Sequence, residues 1–488
     1  MSDIRFRVLL RAALGVAALS LASCAGFMPS PPEVASPSLP SPQPEDVADA
    51  TLGAKEHPRL VAAFGGIYKQ PKLEALLNET VNELVPVSQR PDLRYQVTIL
   101  NSPSINAFAL PGGYLYVTRG LLALASDRAE VAAVLAHEMA HVTARHAAQR
   151  EERAKASVQA GEIVSKIVPD PQVAQTAVNS SRTRLAGFSR QQEFEADSIG
   201  LGTIARAGYD PEGAVRFLVA MSREATLDRL DPKGDERKNA EFMASHPSTP
   251  ERIRKAASTA ASLSSVGARR IGRDSYLEAL DGMLYGDDAP EGFARGRRFI
   301  HVQLGFGFTA PEGFTLENSA RAVFGVGPNG EALRFDGTTA PGEGPPVAFV
   351  ADGWIEGSSV SDARPLAMDG FPAATALARI GEWTFRLGAI RSGDSVYRFL
   401  IGSKHFSAQT DQRFLDAIRS FRRLGPGELA EARPLRLRAV TVGPQDSVTT
   451  LARRMAFETG KLERFLVLNG LRPGEPVKPG DKVKIVAD

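Results

Sequence analysis

The segment that most constrains this chain is His137-Glu138-Met139-Ala140-His141. Two imidazoles four residues apart leave one face of a helix, and Glu138 lies about 100° further round it. Asp127 offers an N-cap one turn ahead of Glu130, and Val131, Val134 and Leu135 carry the helix into the motif. This spacing lets His137 and His141 share a zinc ion while Glu138 takes a proton from a metal-bound water. Zinc lowers the pKa of such a water toward ~7, making it a nucleophile for a peptide carbonyl. The chain has seven His and one Cys, which excludes a Cys-based zinc site and a disulfide framework. His146 falls about 140° round the helix from His141 and lacks the accompanying Gly of longer zinc-binding signatures, so it is not read as a ligand.

A catalytic zinc needs a third protein ligand and an open position. The segment Ser189-Arg-Gln-Gln-Glu-Phe-Glu-Ala-Asp197, followed by Gly200, is the source of candidates. Glu193 and Asp197 share a helix face, so one can bind metal while the other orients a ligand imidazole through its second nitrogen. Glu195 projects about 200° away from Glu193 and is the poorer candidate.

Asn106-Ala-Phe-Ala-Leu-Pro-Gly-Gly113, His137-Glu138-x-x-His141 and Glu193-x-Glu-Ala-Asp197, in this order, resemble the HtpX/BepA-type zinc metallopeptidases, to which eukaryotic prenyl-protein endopeptidases are related. The resemblance covers roughly residues 55–262. It implies a zincin-like, mainly α domain with a small edge sheet. It also implies one Zn2+ held by His137, His141 and Glu193, Glu138 as general base, and Asp197 supporting the ligands from behind. By the same resemblance the edge strand around Tyr114–Thr118 pairs with an extended substrate segment. His246-Pro-Ser-Thr-Pro-Glu-Arg252-Ile253 resembles a further family segment, which implies His246 as a fourth ligand or plug and Arg252 as an oxyanion stabiliser.

Residues 1–24 have a basic start (Arg5, Arg7, Arg11), an apolar stretch from Ala12 to Leu21 and then Leu21-Ala22-Ser23-Cys24. This is the layout of a secretory signal, and its end resembles the bacterial lipobox, which implies lipidation of Cys24. Ala25 in place of Asp favours the outer membrane. Pro29, Pro31, Pro32, Pro37, Pro40, Pro42 and Pro44 make the next stretch an extended tether. Lys+Arg 58 against Asp+Glu 56 leaves a formal charge of +2, so nothing draws the chain to nucleic acid. Apolar runs of about 20 residues are lacking, which excludes a polytopic membrane protein.

Within the peptidase region, apolar spacing predicts a helix over 71–85, and alternation predicts strands at 95–100 and 114–118. Residues 149–182 read as a helical excursion that forms a lid. From 297 the texture changes to short strands between Gly, Pro and Asp turns, among them 302–309, 332–335, 347–350, 383–387 and 396–401, closed by a helix near 411–423. The last fifty residues follow a β-α-α-β order with Asn469-Gly-Leu471 and Pro479-Gly-Asp-Lys-Val-Lys-Ile485, and resemble a LysM module. That resemblance implies binding to peptidoglycan, although the usual Gly-Asp-Thr of the first loop is Pro444-Gln445-Asp446-Ser447 here.

The fold class expected is therefore multidomain. A signal peptide (1–23) and tether (24–45) precede a zinc metallopeptidase domain (46–262), a connector (263–296), an α+β accessory domain (297–425) and a small β-α-α-β LysM-like module (435–488). Together they describe a zinc endopeptidase on the periplasmic side of a Gram-negative outer membrane, degrading unfolded or misassembled envelope proteins. Two other readings are a chaperone-like scaffold with a latent peptidase and a peptidoglycan-modifying metalloenzyme.

Overall fold

The computed structural model describes residues 44–150, 152, 171–230, 246, 249–263, 269–352, 354–457 and 459–487. The signal peptide, most of the tether, Cys24 and most of the 149–182 excursion lie outside them. None of the described helices is long and apolar enough to cross a membrane.

The first part is mainly helical. Helices α1 (Pro44–Ala63) and α2 (Pro71–Leu84) precede strands β1 (Gln96–Leu100), β2 (Ala107–Leu110) and β3 (Tyr114–Thr118). Helix α2 starts on Pro71, whose fixed φ suits a first helical position, and buries Leu73, Leu76, Leu77, Val81 and Leu84 as one stripe. The three strands form a sheet in the order β1-β3-β2, with β1 and β3 parallel. Tyr114–Thr118 is thus the central strand, paired on both sides. This corrects the expectation that it is an edge open to substrate. The Pro111-Gly112-Gly113 turn folds β2 back along β3 with both glycines at positive φ, so the outer position falls to Ala107–Leu110.

Helix α3 (Arg119–Leu124) leads to α4 (Arg128–Thr143), which carries the two histidines. Asp127 caps α4 by accepting from the Glu130 amide at 2.9 Å, and the Glu130 carboxylate accepts from the Ser126 amide at 2.9 Å. Most of α4 is buried, from Ala129 to His141, because elements pack against nearly every face of it. Among them are α5 (Pro171–Arg206), α6 (Glu212–Leu230) and α2. Gly200 lets α5 close on α4: a Cβ there would sit 3.2 Å from the His137 amide nitrogen. Helices α7 (Pro250–Leu263) and α8 (Arg273–Leu280) and strand β4 (Leu284–Tyr285) follow.

The second part contains two antiparallel sheets. Strands β5 (Phe293–Arg295), β6 (Arg298–His301) and β7 (Phe306–Thr309) belong to a four-stranded sheet. Strands β8 (Thr315–Asn318), β9 (Val323–Val326) and β10 (Ala332–Thr339) enter a seven-stranded one. After α9 (Val347–Ala351), the larger sheet continues with β11 (Ser359–Leu366), β12 (Ala373–Ile380), β13 (Trp383–Ser392) and β14 (Ser395–Ser403), in the order β11-β12-β13-β14-β10-β9-β8. Helix α10 (Ala408–Arg419) comes next, and β15 (Arg422–Arg423) pairs with β7. The segment 347–350, expected as a strand, is helical. Pro345 and Pro346 start it without backbone donors, and Val350 lies on the alanine face of the sheet formed by Ala374, Ala376, Ala378 and Ala389. On the opposite face Phe299, Phe308, Phe335, Phe399 and Phe414 form an aromatic core.

Strand β16 (Leu435–Thr441), helices α11 (Val448–Arg453) and α12 (Lys461–Leu468) and strand β17 (Lys482–Ala487) end the chain. Strand β16 pairs with β17 on one side and with β4 on the other. Leu437, Leu451, Phe465, Val483 and Ile485 join the same core as α2, α4 and α8. Lys484 is 1% exposed, and its ammonium donates to the carbonyls of Ala123 (2.7 Å), Leu124 (3.3 Å) and Ala125 (2.6 Å) at the end of α3.

Candidate metal centre

Helix α4 presents His137 and His141, α5 presents Glu193, and His246 arrives from the segment before α7. One ligand atom from each of these four residues lies within 4.8 Å of the others. His137 Nε2 is 3.0 Å from His141 Nε2, 3.3 Å from His246 Nδ1 and 3.4 Å from Glu193 Oε2. His141 Nε2 is 3.3 Å from Glu193 Oε1, and His246 Nδ1 is 3.0 Å from Glu193 Oε2. A tetrahedral ion bound at ~2.0–2.1 Å sets its ligands about 3.3–3.4 Å apart, close to these separations. Glu193 Oε1 is buried without a hydrogen-bond partner among the described residues, as a carboxylate reserved for a cation would be. The donor set fits a metal ion.

The electrostatics agree. Burial works against a charge on His137, yet Asp197 and Glu193 beside it raise its pKa to about 10. Burial also opposes ionisation of Glu193, but the imidazoles of His137, His141 and His246 hold its carboxyl far below the usual range. His141 is driven down to about 3, chiefly by burial, so it is neutral and able to ligate. The site's carboxylates therefore call for a positive charge among them.

Behind the cluster, Asp197 Oδ1 lies 3.0 Å from His137 Nδ1. Arg252 is buried and clamps Asp197 with two bonds of 2.8 Å from Nε and Nη2, while Nη1 is 3.0 Å from Glu193 Oε2. All three guanidinium nitrogens thus engage the two carboxylates, a different placement from the oxyanion role expected of Arg252. Glu138 is buried, and burial raises its pKa. Its Oε1 lies 3.9 Å from His246 Nε2 and has no hydrogen-bond partner among the described residues, which leaves a proton acceptor beside the cluster.

Two recesses meet at Glu138 and His246. One is apolar, walled by Ala133, Val134, Phe217, Leu218 and Met221. The other runs beneath the outer strand β2, along Phe108, Ala109, Val142 and Arg145. His146 and Glu195, set aside as ligands on their helical positions, meet behind His141. His146 is fully buried against His141, and Glu195 stands next to it. Their pattern carried a signal only if the helix ends after Thr143, since a continued helix would carry His146 away.

Residues 71–260 match the model of peptidase family M48. The mitochondrial metalloendopeptidase OMA1 of Schizosaccharomyces pombe is 33% identical over 181 residues, 37% of this chain and 50% of that protein. OMA1 of Arabidopsis thaliana is 34% identical over 163 residues, 33% of this chain and 30% of that protein. The beta-barrel assembly-enhancing protease of Escherichia coli is 26% identical over 196 residues, 38% of this chain and 39% of that protein. The chain spans half or less of the length of these curated relatives.

Proposed function

We propose that the chain, whose residues 71–260 match the model of peptidase family M48, is a zinc-dependent endopeptidase acting on unfolded or misassembled proteins of a bacterial envelope. The observation that carries the reading is the His137, His141, Glu193 and His246 cluster with the Glu138 carboxylate beside it. His137, His141 and Glu193 hold the metal. When bound, zinc lowers the pKa of a water toward ~7 and polarises a carbonyl. Glu138, raised in pKa by burial, takes the proton of the attacking water and passes it to the leaving amine. Asp197 and Arg252 keep His137 and Glu193 in register. His246, with Nδ1 3.0 Å from Glu193 Oε2, would be a fourth ligand or plug and would have to move aside for substrate.

An extended substrate segment adds to β2, whose neighbour within the sheet, among the described residues, is β3 alone. The apolar recess by Val134, Phe217 and Met221 takes the side chain next to the scissile bond. The substrate class is carried over from the Escherichia coli relative, which is named for β-barrel assembly. The same proposal includes the signal at 1–23, lipidation of Cys24, the tether, the domain boundaries given above and a periplasmic station at the outer membrane. The β-α-α-β order of 435–487 supports a LysM-like module reaching peptidoglycan.

The test is cleavage of casein by the purified protein. Glu138→Gln should lose ~10²–10⁴-fold in rate while binding zinc normally, and a chelator should abolish the activity of the wild type. Cleavage by Glu138→Gln at the wild-type rate would sink the proposal. Protection of casein from aggregation by both forms, without cleavage, would favour the chaperone-like reading.

A further inference from the structure

The two histidines of α4 are supported differently. His137 meets a carboxylate directly, through Asp197. His141 meets another imidazole: its Nδ1 is 2.8 Å from His146 Nδ1. His146 is 0% exposed, and its Nε2, which makes no hydrogen bond among the described residues, faces Glu195 Oε2 at 3.5 Å. The Glu195 side chain is 55% exposed, so this line of groups runs from the buried centre to solvent.

The backbone is bent to make the contact. Helix α4 stops at Thr143, and Arg145 adopts φ 54°, a left-handed conformation that costs a non-glycine residue ~1–2 kcal/mol. The turn brings the His146 ring back onto His141. Gln192, one residue before the ligand Glu193, donates from Nε2 to the His146 carbonyl at 3.3 Å. The strained turn is thereby fastened to α5, the helix that supplies the carboxylates.

The chemistry fixes the proton positions. His141 offers Nε2 to the cluster, so its proton sits on Nδ1 and is donated to His146 Nδ1. His146 then carries its own proton on Nε2, toward Glu195. Resting on the metal reading above, we propose that His146 and Glu195 are positioning residues. They form a relay that fixes the tautomer and ring orientation of His141. The three acidic residues of Glu193-x-Glu195-x-Asp197 then divide the work: Glu193 ligates, Asp197 holds His137, and Glu195 holds His141 through His146.

The test uses the full chain, with zinc affinity measured against a competing chromophoric chelator and the visible spectrum of the cobalt(II)-substituted protein as a second readout. His146→Leu removes the acceptor and should weaken zinc binding ~10–100-fold and shift the cobalt bands. His146→Asn keeps an acceptor where Nδ1 stood and should restore most of both. Glu195→Ala, at an exposed position that tolerates the change, should weaken zinc binding by a smaller factor, about 2–10-fold. His146→Leu folded, with wild-type affinity and spectrum, would overturn the relay. Should His146→Leu not fold, wild-type behaviour of Glu195→Ala would overturn it instead. A wild type that binds no zinc defeats the metal reading and the relay together. A wild type that binds zinc but cleaves nothing defeats only the endopeptidase.

Discussion

His246 Nδ1 lies 3.0 Å from Glu193 Oε2, which puts an imidazole from the chain before α7 among the ligand atoms carried by α4 and α5. A fourth protein ligand closes the position a substrate carbonyl needs. If the closed arrangement makes up about 90–99% of the population, its removal multiplies the competent fraction by ~10–100. His246→Ala should therefore raise casein cleavage by about that factor while zinc binds more weakly. Initial rates at saturating zinc decide it, and a rate equal to or below wild type would count against the plug.

Arg252 neutralises two carboxylates, the buried Glu193 and the largely buried Asp197. Removing one partner from such a buried set costs about 3–5 kcal/mol. Arg252→Met should lower Tm sharply in a chelator and less so with zinc present, because the ion replaces part of the lost positive charge. A role confined to stabilising a transition-state oxyanion predicts an unchanged Tm and unchanged zinc affinity, with only kcat reduced.

Lys484 stands on β17 yet completes the C-terminal end of α3, where three carbonyls accept from its ammonium. Burial pushes its pKa down to about 7, but the acceptors are still worse off without it. Lys484→Met orphans them and should destabilise the protein by about 2–4 kcal/mol. Peptidase activity and far-ultraviolet circular dichroism should be lost at one denaturant midpoint. Two separated transitions, with activity surviving the first, would show a module that folds apart from the site.

Glu291 is held up to about 7, first by burial and then by Asp287 and Asp288, against the opposing charge of Arg119. Its folded-state pKa lies above the ordinary value, so between about pH 4.5 and 7 the folded chain keeps a proton that the unfolded chain has lost. Its contribution to stability is complete below that window and is lost as pH rises through it. Glu291→Gln should leave Tm unchanged near pH 4 and gain about 2 kcal/mol at pH 8. Equal shifts at both pH values would refute the assignment.

Much of the centre was legible because it is written in local spacing. His137, Glu138 and His141 sit on one helix whose cap, Asp127, is itself a sequence signal, and Glu193 and Asp197 lie one turn apart. What the sequence hid depends on where distant segments meet. Alternation at Tyr114–Thr118 announces a strand but not its place in the sheet, and β1 takes the side that would have made it an edge. Apolar, β-branched 347–350 reads as a strand until its two preceding prolines and the alanine face beneath it are considered. The His146 contact was invisible because it needs the left-handed turn at Arg145, a conformation nothing in an arginine foretells.

The shared core has a consequence for how the molecule is born. Lys484 follows Ala123, the residue whose carbonyl it caps, by 361 residues. While a ribosome is still adding the strands of the second part, the residues of α3 are already made, but β17, whose Lys484 donates to their carbonyls, is not. The histidines of α4 are thus synthesised long before β17, which completes the core they share. A nascent chain accordingly emerges with the core around its candidate metal centre still incomplete.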